Sequence, residues 1–326
     1  MSKATTSSFS IPWGILLKFL VSGGLIFWLL TKIDVAKVWE VIQDLHAGIL
    51  ALALVVIWIT LVAIAKRWQL VIRLGGIDAS LANLTEATFI GAFFNQFLPS
   101  SVGGDFFRIL AVRRYGASLN NAVTSVFMDR LFGFISLGIL CLLVIPAEGK
   151  ILLDSDLKWP FLVTMFLLAG VFGGGVLLLF LPKQWHSYFL IRPFHSVIEM
   201  VQGALSQKNL FLSMLVSSLV ASILVILGLQ ILMFGFDMPL TWGQGVAILP
   251  VVMLLTSLPI SFAGWGLREG ALIIALGVYG VPQETALALS LVYGVLQLVS
   301  AIPGLVLWIV EKRRLKPSIP FGRSSV

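Results

Sequence analysis

Two short stretches of an otherwise apolar chain carry the same pattern, Pro-x-Ser-x-x-Gly-x-x-x-Arg. Pro99, Ser101, Gly104 and Arg108 form the first copy; Pro259, Ser261, Gly264 and Arg268 form the second. The offset is constant (259 − 99 = 268 − 108 = 160), about half of the 326 residues. Proline and glycine break a helix, and where it restarts the first backbone N–H groups have no partner within it. That end is also the positive end of the helix dipole, a natural place for an anion. An arginine on the first turn adds a planar fork of donors that matches the oxygens of a phosphate. The chemistry suited to both stretches is therefore capture of a phosphate-like anion.

Around the first tip the candidate binding residues are Asn95, Ser101, Gly103, Gly104, Asp105 and Arg108, with a half-helix starting near Asp105. Around the second they are Ser261, Gly264, Gly266, Arg268 and Glu269. Asp129 and Arg130 join the set because they fall inside an apolar run. Neighbours on a helix do not face each other, so each needs a partner elsewhere, and Asp129 with Arg108 is one pairing. Plainer roles stay open. Asp105 could cap the half-helix, Arg108 could reach the headgroups, Glu269 could only neutralise Arg268, and an Asp–Arg couple could only staple two helices. Against mere snorkelling of both arginines, an unpaired charge at the centre of a membrane helix costs about 2.5–3.5 kcal/mol on insertion scales.

These residues must be positioned by membrane helices. The chain is 59% hydrophobic and 11% charged, with mean hydropathy +1.02, whereas soluble domains carry about 25% charged residues. Six apolar segments are long enough to span a bilayer: roughly 14–31, 47–65, 121–146, 160–181, 209–235 and 286–310. Segments 84–116 and 243–281 are apolar but broken in the middle by the repeated pattern. Each half is too short to cross alone, so each segment reads as a re-entrant helical hairpin. Glu86 falls at the mouth of the first. The fold class expected is all-α and polytopic, with about six spanning helices and two re-entrant hairpins arranged as inverted repeats.

Loop charges orient this plan. With a cytoplasmic N-terminus, Asp34, Glu40 and Asp44 fall outside, while Lys66, Arg67, Arg73, Arg113 and Arg114 fall inside. The segment with Glu148, Asp154 and Asp156 falls outside, and the Lys312, Arg313, Arg314, Lys316 tail falls inside. This follows the positive-inside rule. Each half then has three spans and a hairpin, and since three is odd the halves are inverted, as in many secondary transporters. Repeat 1 covers about 14–146 and repeat 2 about 160–310 of a single membrane domain covering 1–326. Segments 1–12 and 315–326 read as flexible ends. Both termini are expected in the cytoplasm of a bacterial cell with the protein in its inner membrane.

The net charge of +7 sits at the ends of apolar runs, not along one solvated face, so nucleic-acid binding is not expected. Cys141 is the only cysteine, and His46, His186 and His195 lack ligand partners at useful spacing, so neither a disulfide nor a metal site is read. No cofactor is implied. Gly264 and Gly266 do not open a dinucleotide loop, because the next glycine, Gly270, is one residue late and no βαβ context exists.

The run from Asn95 to Arg108 resembles the hallmark of the lysylphosphatidylglycerol synthase transmembrane-region family, also called flippase-like. Asp129-Arg130 and the run from Pro259 to Glu269 resemble its other signatures, and the resemblance covers nearly the whole chain. It implies movement of a lipid headgroup between leaflets. Some members add a soluble aminoacyl-transferase or glycosyltransferase domain; this chain has none, so aminoacyl transfer is not expected. The leading expectation is a transporter for an anionic or phosphate-linked lipid, not an enzyme, with a membrane lipid as its partner. A membrane-embedded enzyme or accessory factor acting on a lipid or polyprenyl-phosphate carrier is the alternative, and association with a lipid-modifying enzyme is open. A scaffold ranks last.

Overall fold

Runs of Leu, Ile, Val, Ala and Phe satisfy backbone groups within the segment, which a lipid-exposed chain requires. The computed structural model describes residues 13–97, 103–155, 195–238, 240–256 and 264–314, with 158–159, 161–163, 165–166, 169–170 and 173 between them. Among these residues the fold is all-α. The helices are α1 (Trp13–Lys32), α2 (Val35–Gln43), α3 (Ala47–Leu74), α4 (Leu81–Phe97), α5 (Gly103–Arg113) and α6 (Leu119–Asp154). They continue as α7 (His195–Ser206), α8 (Lys208–Gly235), α9 (Trp242–Thr256), α10 (Leu267–Gly277) and α11 (Gln283–Arg314). Four stretches are long and apolar enough to cross a membrane: Ala47–Leu74, Leu119–Pro146, Lys208–Gly235 and Gln283–Glu311. Helix α1 has 20 residues, about 30 Å of rise. Large apolar side chains face outward on these helices, among them Phe27, Trp28 and Phe234, as lipid contact demands and a water-facing surface of this extent does not.

Several boundaries differ from expectation. Helix α3 continues to Leu74 instead of ending near 65, so Lys66, Arg67 and Arg73 are helical residues, not loop charges. Arg67 is buried there. The reason is the apolar Leu70-Val71-Ile72 run beyond the basic pair, all three buried. Helix α6 likewise passes through Pro146 to Asp154, absorbing most of the segment read as an outer loop. Segment 32–46 contains the short helix α2, whose first turn is capped by the Asp34 carboxylate accepting from the Ala36 N–H at 3.0 Å. Most of 160–181, the ends 1–12 and 315–326, and Pro99, Ser101, Pro259 and Ser261 lie outside the described residues.

Both interrupted segments are helical hairpins. Helices α4 and α5 pack against each other, as do α9 and α10. In the first, Gly104 sits on the Gly91 carbonyl and the Asn95 side chain, so a Cβ there would collide with the backbone. In the second, Gly264 (φ 84°) and Gly266 (φ 85°) occupy the left-handed region that turns the chain into α10.

The packing is reciprocal. Helix α4 lies on α11 and α9 on α6; α5 lies on α6 and α10 on α11; α2 lies on α11 and α7 on α6. At the centre α3 packs on α8, and the pair is antiparallel, because Gly228 meets Val56 while Gly235 meets Ile49. Gln69 on α3 donates to the Ala79 carbonyl at 2.9 Å, just before α4. Gln230 on α8, 161 residues later (230 − 69), donates to the Trp242 carbonyl at 3.0 Å, at the start of α9. A glutamine side chain thus ties each hairpin to the helix before it.

Candidate functional site

At the first hairpin, the motif arginine belongs to a chain of alternating charges. Arg67 of α3 donates through Nε to Asp129 Oδ1 at 2.6 Å, and Arg108 of α5 donates through Nη2 to Asp129 Oδ2 at 2.7 Å. Arg130 of α6 donates through Nε to Asp105 Oδ2 at 2.7 Å, and Asp105 Oδ1 stands 3.8 Å from Arg108 Nη1. The expected Asp129–Arg108 pairing is present. The order is Arg67, Asp129, Arg108, Asp105, Arg130, three cations to two anions. All but Arg130 have side chains less than a tenth exposed. The Arg108 guanidinium also stacks 4.2 Å above the Trp68 ring. A buried charge without such partners would cost several kcal/mol, which explains why each carboxylate lies between two guanidiniums.

The α5 N-terminus is not left bare. Asn95 reaches across from α4 and its Oδ1 accepts from the Gly104 N–H at 2.9 Å. Asp105, on the first turn of α5, spends one oxygen on Arg130.

The second hairpin is arranged differently. Arg268 pairs with its own neighbour Glu269, Nη2 to Oε1 at 2.9 Å. It also donates to Ser290 Oγ and to Gln297 Oε1, both at 3.0 Å. Trp265 and Tyr293 flank its guanidinium, ring centroids at 5.0 and 5.7 Å. Glu269 accepts from the Gly266 N–H through Oε2 at 2.5 Å and from Ser290 Oγ at 2.8 Å. The neutralising role considered for Glu269 is thus present, along with a cap on the N-terminus of α10.

Between the hairpins lies a cavity of about 400 Å³, within the range of ligand pockets. The ends of both hairpins reach its wall, with Asn95 and Gln96 from α4, Thr256 from α9, and Gly264 and Arg268. Three arginines line it, Arg67, Arg130 and Arg268, and among the described lining residues there is no carboxylate.

Of the residues expected from sequence, Asn95, Arg130, Gly264 and Arg268 line the cavity. Asp105, Arg108, Asp129, Gly104, Gly266 and Glu269 are not in its lining; they hold or cap the elements that are. Gly103 opens α5. Ser101 and Ser261 lie outside the described residues. Sequence reasoning missed Arg67, Ser290, Tyr293 and Gln297. For Arg67 a signal existed, since the apolar run continues past it; the other three carry no mark within a long apolar helix.

The model of the Lysylphosphatidylglycerol synthase TM region family matches residues 15–304 of the chain. No curated protein matches it.

Proposed function

This chain belongs to the family of the lysylphosphatidylglycerol synthase TM region, and we propose that it moves an anionic or phosphate-linked lipid between leaflets. The family makes it a multi-pass membrane protein connected with lipid handling. The observation that carries the finer reading is the central cavity, walled by Arg67, Arg130 and Arg268 with no carboxylate among its described lining residues. A headgroup phosphate there meets donors from both hairpin ends, while its tails stay in the bilayer. Every carboxylate of the neighbouring clusters is already tied to arginine, which favours binding over acid–base chemistry.

Two inverted halves, rocking about the cavity, would give alternating access. The reciprocal packing, the antiparallel α3–α8 pair and the matched roles of Gln69 and Gln230 support this reading. In it the hairpins are re-entrant and both termini are cytoplasmic in the inner membrane. A C-terminal GFP fusion then fluoresces; stable but dark fusion protein refutes that orientation.

The direct test is flipping of NBD-phosphatidylglycerol in proteoliposomes. Arg130→Gln, Arg67→Gln and Arg268→Gln should each slow it at least about tenfold, the effect of losing a charge-assisted hydrogen bond or more. Wild-type rates in all three would sink the proposal. Lipid analysis of a deletion strain separates transport from chemistry: a chemically missing lipid favours an enzyme, and a normal lipid held in the wrong leaflet favours a transporter.

A further inference from the structure

Two polar atoms of the first cluster are buried without a hydrogen-bond partner, and they belong to neighbouring side chains: Asp105 Oδ1 and Arg108 Nε. Both side chains are more than nine-tenths buried. Asp105 therefore stands between two arginines but hydrogen-bonds to only one. Its Oδ2 is 2.7 Å from Arg130 Nε, while its Oδ1 stops 3.8 Å short of Arg108 Nη1. Closing that gap takes about 1 Å, after which the contact is an ordinary charge-assisted hydrogen bond. Leaving a buried group such as Oδ1 unmet costs about 1–3 kcal/mol, more when charged, so Arg108 is a ready second partner for the carboxylate.

Arg130 is the more exposed of Asp105's two arginine neighbours. Its side chain is 40% exposed and lines the central cavity. An anion arriving in the cavity meets a guanidinium already occupied by Asp105. We propose that Asp105 is an internal counter-ion that the headgroup phosphate displaces: the phosphate takes Arg130, and Asp105 turns to Arg108. The exchange keeps both aspartates in the cluster, Asp129 on Arg67 and Arg108 and Asp105 on Arg108. Asp105 lies on the first turn of α5 and Gly104 beside it touches the α4 backbone. A turn of this side chain therefore acts at the joint between the two hairpin helices, coupling occupancy to hairpin position. Among its described residues the second hairpin has no such carboxylate between two arginines: Trp265 stands 160 residues after Asp105 (265 − 105).

The inference rests on the anion-site reading above, and its test separates the two. Dihexanoyl phosphatidylglycerol is titrated into the detergent-solubilised full-length protein, with glycerol phosphate as a tail-less arm. Asp105→Asn removes the competing charge, so the lipid should bind about fivefold tighter or more, within the usual span of coupling between two ligands. Maximal flipping should meanwhile fall. Arg130→Gln should weaken binding, and adding Asp105→Asn to it should bring no tightening, because the two residues act through one contact. Tightening in the lipid arm alone identifies a lipid headgroup as the displacing group, and tightening in both arms identifies phosphate itself; either supports displacement. Unchanged or weaker binding in Asp105→Asn, with Arg130→Gln still weak, overturns displacement and leaves the cavity reading intact. Tightening that persists in the double variant also overturns it. Wild-type binding in Arg130→Gln, Arg67→Gln and Arg268→Gln overturns the cavity reading itself. A second measurement does not need Asp105→Asn to fold. Infrared difference spectra of the wild-type protein should show a carboxylate band that shifts on adding the lipid and moves in Asp105→Glu. Absence of any carboxylate change on binding refutes the exchange.

Discussion

At the first hairpin Arg108 is one of three guanidiniums threaded by two aspartates; at the second Arg268 faces one glutamate, its neighbour in the chain. Both arginines reach into the helix that follows, Arg108 to Asp129 on α6 and Arg268 to Ser290 on α11. Both lie against an aromatic face. What differs is the surroundings. No aspartate stands at the motif offset from Asp105, where Trp265 lies (265 − 105 = 160), and no arginine stands at that offset from Arg67, where Leu227 lies (227 − 67 = 160). The two motif arginines thus share a similar seat, while the extra charges gather at the first hairpin. A neutral, fully hydrogen-bonded pair in an aromatic cage is a fixed post. At the first hairpin Asp105 has one oxygen without a hydrogen bond and a second arginine 3.8 Å away, and its present partner Arg130 lines the cavity.

This contrast can be broken or sharpened by substitution. The largest effect is expected at Asp129, since one carboxylate serves two buried guanidiniums. Asp129→Ala should cost about 3–5 kcal/mol, as uncompensated buried charge does, measured by thermal unfolding of the solubilised protein. Glu269→Ala should cost less, about 1.5–3 kcal/mol, because Arg268 keeps Ser290 and Gln297. If Glu269→Ala proves the more damaging, the second hairpin is not the simpler of the two. Next come the packing seats. A methyl group at Gly294 would strike the Arg268 guanidinium and Trp265, whereas one at Gly133 would stand 3.1 Å from Arg67 Nη1. Gly294→Ala should therefore cost about 1–3 kcal/mol through overpacking, and Gly133→Ala less, read as shifts in the same unfolding curves. The smallest change in stability belongs to Arg130→Gln, within about 1 kcal/mol because its side chain is partly exposed. It should nonetheless abolish most flipping, and a stable variant that flips normally would remove Arg130 from the site.

Much of this architecture was legible in the chain. The interruptions at the two motifs follow from clustered proline and glycine, and the cost of charge in hydrocarbon required a partner for Asp129, of which Arg108 was one candidate. Arg67 was misplaced because a basic pair after an apolar run fits a cytoplasmic loop; the buried Leu70-Val71-Ile72 run beyond it was the better guide. Ser290, Tyr293 and Gln297 could not be picked out, since hydrogen-bonding residues on a long helix acquire meaning only from the arginine placed beside them. The same holds for the split of roles between Arg108, held behind the wall, and Arg130, on it. Both were expected to touch the substrate, and one helical turn or one hairpin contact separates the two outcomes.

By itself, the amino-acid sequence determined a polytopic helical membrane protein of duplicated pattern, with an arginine at each of two helix restarts. Local rules suffice for that: hydropathy marks the apolar helices, clustered proline and glycine mark the two interruptions, and a fixed offset relates the two motifs. Only the tertiary structure decided which charges meet. Arg67 and Asp129 are 62 residues apart and Arg108 and Asp129 are 21 apart, and no local preference encodes either distance. Electrostatic partnership depends on separations of a few ångströms between helices, so the same motif became a pair of neighbours at one hairpin and a chain of five charged side chains at the other.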